Sequence, residues 1–233
     1  MGKVDKPQQK QAKKAILAIF AKQPIPGQVK TRLCPPLNDA TAAALYLESL
    51  METVERMQQG NNYDLALCYA GDQQWFVDTF PGILLNVQQG NDLGERMARA
   101  LNDFLTQGYL RVVLIGSDVP DLPEDIVGRA FNALESVDLV LGPTVDGGYC
   151  LVGESNHHPQ LFENISWSSE SVLVETLEKA KVLKISSELL AEWEDLDDIA
   201  ALQRYLKRSP EGRTARYLKT VLAEFPSLDD CLT

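Results

Sequence analysis

A chain of 233 residues, 45% hydrophobic and 24% charged, has the composition of a soluble globular protein and the length for one sizeable domain. Its net charge of −11 is unevenly spread: residues 1–32 hold eight Lys or Arg against one Asp, leaving −18 on a body that would repel nucleic acid. Four scattered cysteines, two adjacent histidines and no long apolar run argue against a structural zinc site, a Ser-His-Asp triad and a membrane partner.

Residues 1–14, rich in Lys and Gln, are expected to form a flexible basic tail, and no secretory signal is read after them. Residues 15–20 are a continuous apolar run, as in a strand buried on both faces. Pro24, Pro26 and Gly27 then impose a loop as far as Asn38, where Asn38 or Asp39 caps a long helix ending near Gly60. A strand over 65–69, a short helix over 73–80 and a strand over 82–87 follow. Asp92 opens a helix through Leu105, with Leu93, Met97, Leu101 and Leu105 at helical spacing. Residues 111–115 form a β-branched strand closed by Gly116, and Pro123 starts a helix reaching Leu134. Strands over 137–141 and 149–152 flank Asp146-Gly147-Gly148. The pattern then predicts a helix over 168–180, a strand over 182–185 and partly amphipathic helix over 189–225, with 226–233 as a tail.

Apolar strands alternating with helices specify a three-layer α/β/α sandwich around a mostly parallel sheet, here a single domain over 15–225. Ligands of such sheets bind beyond the carboxyl ends of the strands. Three polar segments occupy that position.

The first, Lys22 to Arg32, follows the first strand. Its prolines stiffen the loop, Gly27 admits a close backbone approach, and three cations lie within eleven residues. Lys22, Pro26, Gly27, Lys30, Thr31 and Arg32 are therefore candidate nucleotide-binding residues, a solvated basic loop being the alternative. Val29 rules out a Walker A loop, and no G-x-G-x-x-G follows the strand. The second segment, Ser117-Asp118-Val-Pro-Asp121, places a carboxylate just past a buried strand, where a divalent cation bridging to a diphosphate would offset its desolvation. Asp118 is the candidate ligand; Asp121 reads as a turn residue or helix cap. The third, Gly142 to Tyr149, offers Asp146 as a second metal ligand or a base, with Gly147, Gly148 and Tyr149 against the substrate, although Asp-Gly also suits a hairpin turn. Gly94 and Arg96 at a helix start add candidate contacts to the nucleotide, a surface charge pair being the alternative. Trp167-Ser168 before another helix could contact the acceptor, although core packing of Trp167 and capping by Ser168 is the simpler account.

Five segments occur in order: K-x-P-x-P-G-x-V-K-T-R-L, G-E-R-M, V-V-L-I-G-S-D-x-P, L-G-P-x-x-D-G-G-Y and I-x-W-S. In this the chain resembles the bacterial DUF2064 group, whose members carry the provisional label of glycosyltransferases within the nucleotide-diphospho-sugar transferase (GT-A-like) superfamily. The resemblance implies a GT-A-type sheet, a nucleotide at the first loop, and Mg²⁺ or Mn²⁺ held at Asp118. The usual D-x-D signature is broken, because position 116 is Gly, and Asp146 is the expected second ligand.

The leading expectation is metal-dependent transfer of a glycosyl unit from a nucleotide-sugar to a small-molecule acceptor. Lys30 and Arg32 would assist the leaving diphosphate, and Asp146 would orient or deprotonate the acceptor. The first loop also looks like that of guanylyltransferases, so nucleotidyl transfer with release of pyrophosphate is the alternative. A non-catalytic nucleotide-binding subunit is the reading from another class. A cytoplasmic monomer or homodimer is expected.

Overall fold

The computed structural model describes residues 15–60 and 62–224; the two expected tails, 1–14 and 226–233, lie outside the described residues. In chain order the elements are β1 (Ile16–Lys22), α1 (Asp39–Met57), β2 (Asp64–Ala70), α2 (Gln73–Thr79), β3 (Leu84–Val87), α3 (Leu93–Thr106), β4 (Val112–Gly116) and α4 (Glu124–Ala133). There follow β5 (Leu139–Pro143), β6 (Tyr149–Glu154), α5 (Val172–Leu183), β7 (Ser187–Leu189), α6 (Ile199–Arg208) and α7 (Arg213–Glu224).

The strands form one sheet in the order β3-β2-β1-β4-β6-β5-β7. All neighbours are parallel except that β6 runs against both β4 and β5. The apolar run of β1 serves both faces, since successive side chains alternate across a strand. Leu17, Ile19 and Ala21 join one core cluster with α1, α2 and α4, while Ile16 and Ala18 join a second with α3 and α5. The expected α/β/α sandwich is thus present.

A further layer lies outside it. Helix α1 is buried on two sides, Ala43, Tyr46, Leu50 and Val54 facing the sheet and Ala42 and Leu45 facing α6 and α7. Glu52 is held in the outer contact, where its carboxylate accepts from Tyr205 Oη and from the Thr214 amide, both at 2.8 Å. Arg213 reaches across to Glu48 and Glu55.

Chain order along the sheet positions the site. From β1 the chain moves outward to β2 and β3, then returns to β4 on the other side of β1. The β1–β4 boundary is therefore the topological switch point, where loops leaving the two carboxyl ends diverge and open a crevice.

Two sequence expectations are corrected. Residues 182–183 belong to α5 rather than to a strand, with Val182 exposed, and the strand is β7 at Ser187–Leu189. Apolar Val182 and Leu183 mimic a strand, but Lys184 in the left-handed conformation ends the helix only after them. The second correction matters more: 189–225 is not helical throughout. Residues 190–198 follow β5, with the Leu190 amide donating to Leu141 O at 2.9 Å and that of Trp193 to Pro143 O at 3.0 Å, before Asp198 caps α6.

Because Glu52 is only 6% exposed, losing one of its donors leaves a carboxylate short of a partner. Tyr205→Phe is expected to destabilise the fold by about 1–3 kcal/mol, read from the urea-unfolding midpoint.

Candidate functional site

The cleft at the switch point has a volume of about 660 Å³ and is walled by the segments that follow β1, β3, β4 and β7, with the start of β6. Each is shaped by its sequence. In the loop after β1, Val29, Leu33 and Leu37 are buried, and this anchoring turns the intervening Lys30, Thr31 and Arg32 toward the cleft. Lys30 adopts the left-handed conformation, φ 49°, at the start of a single 3-10 turn over Thr31–Leu33. Gly27 also lies at positive φ, 75°, which glycine adopts without strain.

After β4, the Ser117 hydroxyl bonds Tyr46 Oη at 2.7 Å, and Ser49 donates to the Ser117 carbonyl at 3.1 Å. This leaves Asp118 directed into the cleft. Position 116 is glycine for a local reason: a Cβ there would stand 2.4 Å from Asp118 Oδ1. The carboxylate that the D-x-D pattern lacks at this place is supplied elsewhere. Asp195 and Asp197, on the segment after β7, face Asp118, with one oxygen of each of the three lying within 4.8 Å of the others. The Leu196 amide between them donates to Asp118 O at 2.9 Å, and buried Leu196 sits in the outer core.

Lys30 lies between the carboxylates, its Nζ 3.0 Å from Asp118 Oδ2 and 2.8 Å from Asp197 Oδ1. Arg32 reaches Asp197 Oδ2 at 3.2 Å. Burial works against the charge on Lys30, but Asp118 and Asp197 outweigh it and hold its pKa above the ordinary lysine value. Burial, followed by the neighbouring Asp118 and Asp197, pushes Asp195 up to about 7. Asp197 stays below the usual carboxylate range, because Lys30 and Arg32 overcome its burial. The thiol of Cys150, which also lines the cleft, is pushed up to about 12 by burial and by Asp195 and Asp118, so it is not a thiolate nucleophile at neutral pH.

The acidic segment is clamped from behind. Arg208 of α6 forms a forked ion pair with Asp121 and bonds Glu194 at 3.1 Å, while stacking over Trp193 with its guanidinium carbon 5.0 Å from the ring centroid. Trp193 Nε1 donates to Asp121 Oδ1 at 3.3 Å, and Arg204 holds the other side of Glu194. Asp121 lies in the turn closed by the Leu122 amide on Val119 O, as expected, and is also the buried anchor of this clamp; the cap position of α4 is taken by Pro123.

The cleft brings together Lys22, Lys30, Thr31, Arg32, Arg96, Ser117, Asp118, Tyr149 and Ser168. Other expected site residues stand behind its wall. Exposed Asp146 serves the 144–148 turn, accepting from Thr144 Oγ1 at 2.6 Å and from the Gly148 amide at 3.2 Å, though its charge adds to the raised pKa of Asp195. At Gly147, φ 84°, a Cβ would lie 2.2 Å from Glu170 O. Gly94 packs so tightly on Trp167 that a Cβ would come within 2.6 Å of the ring, and Trp167 in turn meets Tyr149 edge-on at 6.5 Å. Pro26 and Gly27 are exposed at the loop tip.

Three carboxylates supply hard oxygen donors of the kind Mg²⁺ and Mn²⁺ prefer, and a side-chain cation already stands among them, so the donor set fits a divalent ion. Asp195 and Asp197 were missed in the sequence because Glu192-Trp-Glu-Asp-Leu-Asp-Asp198 reads as a charged helix face. The available signal was the D-L-D triplet preceding the Asp198 cap.

An α/β sheet with a phosphate-sized basic loop and an acidic cluster at its switch point defines a GT-A-like fold. Residues 53–169 match the family described as "Uncharacterized protein conserved in bacteria (DUF2064)", and the chain belongs to that family. A protein of Desulfovibrio desulfuricans G20, provisionally described as a nucleotide-diphospho-sugar transferase, is 34% identical. Its structure superposes with a TM-score of 0.83 over 90% of this chain and 95% of that one. Two likenesses are of fold alone. Rv0371c from Mycobacterium tuberculosis H37Rv, solved with manganese, is 16% identical, TM-score 0.54, over 84% of this chain and all of that one. CMP:2-keto-3-deoxy-manno-octonic acid synthetase complexed with CTP is 10% identical, TM-score 0.55, over 85% and 99%. No curated protein matches the sequence. Among the described residues no helix is long and apolar enough to cross a membrane.

The raised pKa of Asp195 carries a sign. Below about pH 4 the group is protonated whether folded or unfolded, and stability is unaffected. Between there and about pH 7 the unfolded chain releases a proton that the fold retains, so metal-free stability falls as pH rises. Asp195→Asn is therefore expected to match the parent near pH 4 and to exceed it by about 1–3 kcal/mol at pH 8, as measured by thermal unfolding in chelator.

Proposed function

We infer that this protein is a metal-dependent glycosyltransferase that takes a nucleotide-diphospho-sugar as donor and a small molecule as acceptor. The observation that carries the reading is the ammonium of Lys30 held between Asp118 and Asp197, with Asp195 alongside, at the carboxyl ends of β1 and β4. An acidic cluster beside a basic loop at a switch point suits a metal-bridged diphosphate. The 34% identical relative, provisionally described as a nucleotide-diphospho-sugar transferase, supports the same class.

In this reading Asp118, Asp195 and Asp197 hold Mg²⁺ or Mn²⁺. When bound, the ion supplies charge neutralisation at the diphosphate as the glycosidic bond to it breaks. Lys22, Lys30, Arg32 and Arg96 line the cleft and balance the phosphate oxygens, with Thr31 and Ser117 as neutral partners on the same wall. Tyr149 and Ser168 border the space left for the acceptor, and Trp167 fixes the Tyr149 ring from behind. Asp146 acts through its charge on Asp195 rather than by touching the acceptor. Residues 15–225 constitute the catalytic domain, working in the cytoplasm as a monomer or homodimer. Cys34, Cys68 and Cys150 are unpaired, which suits a reducing compartment.

A second reading, nucleotidyl transfer, is favoured by one observation: four cations, Lys22, Lys30, Arg32 and Arg96, line a single cleft, enough to accompany a triphosphate. The products separate the two, a free nucleoside diphosphate in the first case and pyrophosphate in the second.

A thermal-shift panel of nucleoside di- and triphosphates and nucleotide-sugars, with and without Mn²⁺, tests the class, since a ligand of the folded state raises the melting temperature. A metal-dependent shift with diphosphates or their sugars is expected, and Asp118→Asn should abolish its metal dependence. Preference for triphosphates would favour the second reading, and no shift with any of them would refute both.

A further inference from the structure

Lys30 stands in an unusual position for a phosphate-binding lysine. Its side chain is 6% exposed, its backbone is left-handed at φ 49° and ψ 37°, and its ammonium is bonded to two carboxylate oxygens rather than turned to the open cleft. Those oxygens, Asp118 Oδ2 and Asp197 Oδ1, belong to two of the three carboxylates that would hold a divalent ion. An ammonium at hydrogen-bond distance and a metal cannot share them at full strength, since coordination requires approach to about 2.0–2.2 Å and two neighbouring cations repel.

Charge decides the balance. The carboxylates of Asp118 and Asp197 are already matched by the two cations Lys30 and Arg32, so a divalent ion would enter where positive charge is in place. Adding the ion alone makes the cluster positive. Adding it with a diphosphate, which carries at least two negative charges, offsets the charge of the ion and gives the displaced ammonium a new partner, which the unbranched, rotatable lysine stem can reach.

We propose that Lys30 is the resident cation of the acidic cluster, surrendered when a divalent ion and a diphosphate enter together, so that it couples metal binding to nucleotide binding. This rests on the metal-site reading above. Lys30 keeps Asp118 and Asp197 together while the cleft is empty, opposes a metal ion that arrives without its nucleotide, and passes to the phosphate when both are present. Arg32, 61% exposed and bonded to Asp197 through Nη1, keeps that contact while its other donors remain available to the phosphate.

The test measures binding rather than turnover. Mn²⁺ is titrated into the protein with and without a non-hydrolysable nucleoside diphosphate analogue, and free Mn²⁺ is followed by electron paramagnetic resonance. In the parent, the diphosphate is expected to tighten Mn²⁺ binding strongly. In Lys30→Met, Mn²⁺ alone should bind about tenfold tighter, the effect of removing roughly 1.4 kcal/mol of opposition, and the gain from diphosphate should shrink. Weaker Mn²⁺ binding by Lys30→Met would overturn the proposal and make Lys30 a fixed brace of the ligands. Labelling of unmodified protein guards against a variant that fails to fold. Acylation of Lys30 by an N-hydroxysuccinimide ester, followed by peptide mass spectrometry, should quicken when Mn²⁺ is added and slow again with diphosphate; an unchanged rate would refute the exchange. If the parent binds no Mn²⁺ under either condition, the metal-site reading fails, and the exchange fails with it.

Discussion

The Lys30 ammonium joins three stretches of chain at one point: the loop after β1, the loop after β4 and the segment after β7. A lysine this buried is costly unless paired, and three clustered carboxylates repel one another unless a cation stands among them. Neither set would be tolerated without the other. The left-handed backbone at Lys30, worth roughly 1–3 kcal/mol of strain for a non-glycine residue, is held in place by the same contacts and by buried Val29 and Leu33 on either side. Site and fold are thus mutually dependent at this residue.

That dependence extends outward to α6 and α7. A three-layer sandwich would be complete without them, yet they pack against the outer side of α1, and the same α1 presents Tyr46 to Ser117 on its inner side. The segment leading into α6 crosses the mouth of the sheet, and the Arg208 fork to Asp121 with the Arg204 bond to Glu194 fixes its course. Asp195 and Asp197 face Asp118 because Leu196 between them is anchored in the outer core. The C-terminal helices therefore act as part of the site, by setting the position of two of its three carboxylates.

How much of this was legible in the sequence follows from contact range. Strand and helix positions were readable because each depends on local periodicity, and β1, α1, α3 and β4 fell where apolar spacing placed them. Lys30, Arg32 and Asp118 were readable because they follow strands directly, which a parallel sheet makes a functional address. Asp195 and Asp197 were not, since Asp197 meets partners 167 positions away at Lys30 and 165 at Arg32, and Asp195 is brought to Asp118 only by the fold. Residues 190–193 take their course from bonds of Leu190 and Trp193 to β5, and Leu196 from its bond to Asp118, tertiary effects that sequence spacing does not encode. Gly116 shows the same limit from the other side. Read as a missing acid, it is the space into which the Asp118 carboxylate folds.

The family match has a bearing on which parts of the site define the family. Residues 53–169 include Asp118 and the 144–148 turn but neither Lys30 nor the Asp195–Asp197 pair. That core supplies β2 to β6 with the Asp118 carboxylate past β4, but not β1, which stands between β2 and β4. A lone carboxylate past β4 would face open solvent, with neither the ammonium that offsets its burial nor the partners that make a donor set. Both flanks must be present before the three carboxylates and Lys30 can stand together. The chemistry of this site is accordingly a property of the whole chain: the matched core fixes where a ligand can sit, and the two flanks determine whether it can be held.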